Sequence, residues 1–324
     1  MDFWQAKRHA QKATTLYFFL FIAMTLSVSA LIEWLFRLAM QENDPSDYAI
    51  PNYPTVGLAF ALITFTVALV KYYGFKSYGG SYAAESAGAE LIDEQSADLK
   101  ERELLNIVEE MALAAGIPKP PVYLIDAQQI NAFAAGMDLD NAVIAVTKGA
   151  LNKLNRDELQ GVIAHEIGHI INGDMIIGLT LAAMVLGFFF AFTLGQRIIY
   201  FSSFSRRSNR SSKNDNQGGA IFLAALLFFA AGLFTWFFGS ILKACVSRQR
   251  EYLADASSVQ FTRNPQGIAN ALIKIQKDSI QDMPSQGAAF SHLYFDNHGG
   301  WNSLFATHPP LEKRIAAILE NENK

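Results

Sequence analysis

A mainly α-helical membrane protein with a smaller α+β part is the fold class that this sequence predicts, and three features point to it. The chain of 324 residues is 51% apolar, and its mean hydropathy is positive, high for a protein that meets only water. Four runs lack charge: Ala13 to Ile32, Ala49 to Val70, Met175 to Gln196 and Gln217 to Leu242. Each approaches or exceeds the roughly 20 residues that a spanning helix needs. The segments between and after them carry ordinary helical and strand patterning, enough for a small sheet packed on helices.

The first run follows Lys7, Arg8 and Lys12, and Val28-Ser29-Ala30 resembles a small-residue cleavage site. The run is long for a signal peptide and ends at Glu33-Trp34, which favours an uncleaved anchor. The loop after it holds Glu33, Glu42, Asp44 and Asp47 against only Arg37, so the charge rule puts the N-terminus in the cytoplasm and returns the chain there after the second run. Tyr78-Gly79-Gly80-Ser81 reads as a linker. A helix is expected from about Glu94 to Ala115, ended by Gly116 and by Pro118, Pro120 and Pro121. Val122 to Ile125 reads as a short buried strand, Ile130 to Gly136 as a second, and Ala142 to Thr147 as a third that Lys148-Gly149 breaks.

Asn155-Arg156-Asp157-Glu158 has the form of a capping box. The helix it opens carries an apolar stripe of Leu159, Val162, Ile163, Ile167, Ile170 and Ile171. The third and fourth runs would form a hairpin. Arg197, Arg206, Arg207, Arg210 and Lys213 in its connection oppose translocation, so the hairpin either crosses regardless or lies re-entrant on the cytoplasmic side. A helical stretch follows from about Val246 to Gln260, another opens at Asn264-Pro265, Ser285 to Gly300 reads as a loop, and Pro309-Pro310 opens a last helix to about Glu320. The expected division is 1–75 as a two-span anchor, 76–174 and 246–324 as two parts of one catalytic domain, and 175–245 as the hairpin. A formal net charge of −4 gives no sign of nucleic-acid binding, and the lone Cys245 rules out an internal disulfide.

The chemistry lies in His165-Glu166-Ile167-Gly168-His169. Two imidazoles four residues apart share one helix face and can hold one metal ion, with Glu166 beside them to take a proton from water. A strand followed by this helix is the setting of a zincin-like α+β catalytic domain. Catalytic zinc keeps three protein ligands and an open position, so a third ligand must come from elsewhere. The remaining histidines are His9, His292, His298 and His308; the best carboxylate candidate is Glu251 in Ser247-Arg248-Gln249-Arg250-Glu251-Tyr252-Leu253-Ala254-Asp255. Glu251 and Asp255 stand at i and i+4, so one can bind metal while the other holds an imidazole through its free N–H. Spacing alone equally allows a charged face that pairs with its own arginines. Asn172 and Asp174 are either supporting groups around the ligands or polar residues at a helix end.

The string from His165 to Asp174 (HEIGHIINGD), the Glu251/Asp255 pair and Thr307-His308-Pro309-Pro310 together resemble the HtpX-type membrane zinc metalloproteases, gluzincins related to the CAAX prenyl endopeptidases. The similarity runs over nearly the whole chain. It implies one zinc per chain held by His165, His169 and Glu251, with Glu166 as catalytic base. It also implies Asn131, Ala132, Phe133 and Ala134 as a substrate-binding edge strand, while Asp255, Asn172 and Asp174 are expected as supporting residues from their positions alone. It further implies that His308 and Arg314 approach the oxyanion. The expected activity is hydrolysis of unfolded or damaged membrane proteins at the cytoplasmic membrane, with the catalytic domain facing the cytoplasm and no organic cofactor. Two alternatives stand beside it: a prenyl-protein endopeptidase, and a zinc-stabilised membrane scaffold without turnover.

Overall fold

The computed structural model describes residues 3–41, 53–96, 98–208, 215–278 and 308–320. Its elements are α1 (Phe3–Gln41), α2 (Val56–Ser86), β1 (Ala89–Leu91), α3 (Leu99–Ala115), β2 (Val122–Ile125), β3 (Ala132–Ala135), β4 (Val143–Thr147), α4 (Lys148–Lys153), α5 (Arg156–Ile171), α6 (Asp174–Ser208), α7 (Asp215–Thr262), α8 (Pro265–Asp278) and α9 (Leu311–Leu319). The loop expected over Ser285 to Gly300 lies outside the described residues, as do Arg210 and Lys213.

The chain forms two compact units. One comprises Thr15–Tyr73 and Thr180–Lys243, the other Gly74–Leu179 and Ala244–Lys324 with Met1–Thr14. The first unit is helical and apolar. Four helices, α1, α2, α6 and α7, contain stretches long and apolar enough to cross a membrane. Their side chains meet around Val28, Ile32, Val56, Phe60, Ala191, Phe228 and Ala231. Where α6 and α7 approach, a Cβ on Gly195 would lie 2.5 Å from the Phe229 backbone nitrogen, so the close contact requires glycine there. Glu33, buried on α1, accepts from the Thr55 and Gly57 backbone N–H groups and pairs with Arg37 at 2.7 Å, which satisfies donors at the start of α2. Val28-Ser29-Ala30 lies mid-helix, with Ser29 Oγ donating to the Thr25 carbonyl.

The second unit is built on a four-stranded mixed sheet in the order β1-β2-β4-β3. β2 and β4 run parallel, with Val122 opposite Ile144, while β1 and β3 pair antiparallel on the two edges. Alternation sends Val122, Ala132, Ala134, Ile144 and Val146 to one face, where α3, α5 and α8 supply Leu104, Ile163, Ile167 and Leu272. Tyr123, Ile125, Phe133, Val143 and Ala145 go to the other, against Ala83, Ala84 and Ala87.

Most element expectations hold within a few residues, and four differ. The Gly79-Gly80 segment is no linker: it lies inside α2, where Gly79 at φ 68° kinks the helix. Lys148-Gly149 opens the short helix α4, with Thr147 as N-cap, instead of merely ending a strand. The stretch expected from Val246 is continuous with the fourth apolar run, giving α7 its 48 residues. That is more than twice what a span needs, so its C-terminal half remains for other work. Likewise α6 stays helical through Ser208, placing Arg197, Arg206 and Arg207 on a helix and not in a connection. β1, three residues long, had no pattern to announce it.

Candidate metal centre

Helix α5 presents the site. Asn155 caps it, its side chain accepting from Glu158 N while Glu158 reaches back to Asn155 N, the reciprocal pair that fixes where the helix begins. Ten residues of register then place His165, Glu166 and His169 under the sheet, with His165 and Glu166 buried. From α7, Glu251 comes between the two imidazoles: its Oε1 is 3.5 Å from His169 Nε2 and its Oε2 is 3.6 Å from His165 Nε2. The two Nε2 atoms face each other at 3.1 Å. Among the described residues these three form the group of His, Cys, Asp and Glu side chains placed to hold a metal ion.

Whether such an ion fits is decided by where the ring protons lie. His169 Nδ1 is 2.7 Å from Asp174 Oδ2, and His165 Nδ1 is 3.0 Å from Asp255 Oδ1. A carboxylate only accepts, so each Nδ1 carries a hydrogen, and the neutral form of each ring would turn an Nε2 lone pair inward. Two lone pairs and a carboxylate then point at one small volume, an arrangement that repels itself unless a cation or proton lies in it. Ligand bonds of about 2.0–2.1 Å to a tetrahedral ion would set ligand atoms about 3.3 Å apart, close to the spacing found. The donor set fits a zinc-sized divalent ion.

Around this group the charges are tightly matched. Arg314 of α9, fully buried, donates from Nη2 and Nε to Asp255 at 2.7 and 2.9 Å, and its Nη1 lies 2.9 Å from Glu251 Oε2. Burial works against its charge, but the Asp255 and Glu251 carboxylates outweigh it and push the guanidinium pKa above its ordinary value. His308 brings Nδ1 to 3.1 Å from Glu251 Oε2 from a less buried position. Burial opposes charge on His169 as well, yet Asp174 and Glu251 hold its pKa well above the usual imidazole value. A metal ion would therefore displace a proton on binding. Burial raises Glu166, against the pull of His169 and His165, and the Ala134 backbone N–H donates to its carboxylate.

The structure brings together His165, Glu166, His169, Glu251, Asp255, Asp174, His308 and Arg314. Two of the expected residues make the following contacts. Asn172 turns its side chain to Ser257 Oγ at 3.1 Å and not toward an imidazole. Arg314 donates to Asp255 and lies 2.9 Å from Glu251, contacts that brace both carboxylates. Ala132 to Ala135 do form an edge strand, but one that is buried. Asn131 N–H donates to Thr147 Oγ1 and the Asn131 side chain accepts from Ala132 N, so both serve the chain itself. Sequence reasoning missed Arg250, which contacts Asp174. Its signal was weak, one arginine in a basic heptad.

With this geometry in place, residues 98–322 match the family model for Peptidase family M48. The chain belongs to peptidase family M48. Similar proteins include a "Protease HtpX homolog" of Dictyoglomus thermophilum, 39% identical over 274 residues that cover 84% of this chain and 85% of the relative. Another, from Thermoanaerobacter pseudethanolicus, is 44% identical over 217 residues, covering 66% of this chain and 70% of the relative. The crystal structure of S. mikatae Ste24p superposes with a TM-score of 0.51 at 20% identity, covering 92% of this chain. This chain spans 64% of that structure's length, and the likeness is one of fold. The M48 peptidase is thus a membrane metalloprotease whose four apolar helices associate with a bilayer and whose substrates are proteins.

Proposed function

We propose that this M48 peptidase is a zinc endopeptidase that cleaves misfolded or damaged membrane proteins at the inner, cytoplasmic membrane, its catalytic domain (76–174 with 246–324) facing the cytoplasm. One observation carries the reading: His165, His169 and Glu251 converge from two helices with Glu166 buried beside them. His165, His169 and Glu251 would hold the zinc. When bound, the ion polarises a water molecule and a peptide carbonyl.

The rest falls to the chain. Glu166, raised by burial, accepts a proton from the attacking water and passes it to the leaving amine. Asp255 and Asp174 keep the imidazoles in the tautomer that offers Nε2. His308, less buried than Glu251 and 3.1 Å from its Oε2, would donate to the developing oxyanion. An extended substrate segment would pair with the backbone of Asn131 to Ala134, exchanging that edge's internal bonds for its own and reading main chain more than side chains. Phe133 supports this, because its ring is buried on the far face of the sheet.

The test is Glu166→Gln assayed on a casein-like unfolded protein. Cleavage is expected to fall about 10²- to 10⁴-fold with zinc retained. Undiminished cleavage refutes the base, and equal zinc with no cleavage in the parent chain would favour a scaffold. Preference for a prenylated peptide over the unfolded protein would instead point to a prenyl-protein endopeptidase.

A further inference from the structure

Helix α5 ends at Asn172, and Gly173 at φ 65° turns the chain directly into α6. That turn puts Asp174, the first residue of α6, against His169. A carboxylate on so short a turn needs something to hold it, and Arg250 supplies that. Arg250 is buried on α7, one residue before Glu251; its Nη2 donates to the Asn172 carbonyl at 2.6 Å and its Nε contacts Asp174 Oδ1. Three consequences follow from one guanidinium. A C-terminal carbonyl of α5 that lacks a helical partner gains a donor. The second oxygen of Asp174 is neutralised, while its first stays on His169 Nδ1. And the turn is tied to the same helix that carries Glu251. Neither partner is solvated, so neither has a substitute for the other.

We propose that Arg250 is a positioning residue for the metal centre: by fixing Asp174 and the Asn172–Asp174 turn, it sets the ring plane and tautomer of His169. The inference rests on the zinc reading of the site. It assigns Arg250 no contact with substrate or metal. An arginine suits the task because its planar fork can serve the carbonyl and the carboxylate at once, whereas a lysine offers a single point of charge.

The test compares the full-length, detergent-purified chain with Arg250→Met, Arg250→Lys, Asp174→Asn and the double variant Arg250→Met/Asp174→Asn. Zinc affinity is read by competition with a chromophoric chelator, and unfolding is followed in the metal-free state. Arg250→Met and Asp174→Asn are each expected to weaken zinc by about 10- to 100-fold, the double variant little more than either, and Arg250→Lys by less. The double variant also guards against misfolding, because it removes both buried charges together. Wild-type affinity in the double variant overturns the proposal. So does a loss in Arg250→Met that Asp174→Asn does not share, or a double variant whose losses multiply. If the parent chain itself binds no zinc, the zinc reading fails and the inference falls with it; if the parent binds and the variants bind equally, the inference alone fails.

Discussion

The two imidazoles of the centre are held in different ways. His165 is backed by Asp255, which stands on an unbroken helix and is gripped by Arg314, a side chain with no exposed surface that also touches Glu251. His169 is more exposed and is backed by Asp174, which stands on a glycine turn and is gripped by Arg250. Each arm is an imidazole, an aspartate and an arginine. The first is built into regular structure and coupled to the third ligand; the second depends on a turn. The lesson is that α7 ties both arms together, since Asp255, Glu251 and Arg250 all lie on it.

The largest effect should come from breaking the deep arm. Arg314→Met leaves Asp255 and Glu251 buried without their counter-charge, a change worth about 3–5 kcal/mol in stability. Chemical denaturation of the metal-free protein should register it, and a loss below about 1 kcal/mol would mean that solvent reaches this pair. Next, Asp255→Asn keeps the shape but not the charge, and zinc binding measured by chelator competition should weaken by about 10- to 100-fold. Unchanged affinity would break the parallel between the arms. The smallest effect belongs to the shallow arm's turn. At Gly173 an added Cβ meets nothing, so Gly173→Ala tests only the left-handed backbone. A cost of about 1 kcal/mol is expected, with a few-fold weaker hold on zinc. A stability loss with no change in zinc binding would uncouple the turn from His169.

What could be read from the sequence was what is local. The capping box of α5, the His165/His169 spacing and the strands β2 and β4 are each written within a few residues, so pattern and chemistry coincide. Gly79-Gly80 misled for the same reason: two glycines look like a linker, yet helix continues on both sides of the kink. Glu251 lies 86 positions from His165 as numbered, and its spacing to Asp255 fits an ordinary charged face equally well. Resemblance to known proteases, not spacing, selected it. The contacts found reach other elements: Glu251 pairs with Arg314 of α9 and Arg250 with Asp174 of α6. Arg250 was invisible because nothing local tells a buried arginine from a solvated one. The continuity of α7 was hidden where the apolar run gives way to charges, a change of surroundings and not of backbone.

The most direct test of the zinc centre is elemental analysis of the purified full chain beside Glu251→Gln, both after passage through a mild chelator. The parent should retain about one zinc ion per chain and the variant nearly none, because two imidazoles alone hold the ion weakly. A parent without stoichiometric transition metal, or a variant that keeps as much as the parent, would contradict a centre made by His165, His169 and Glu251.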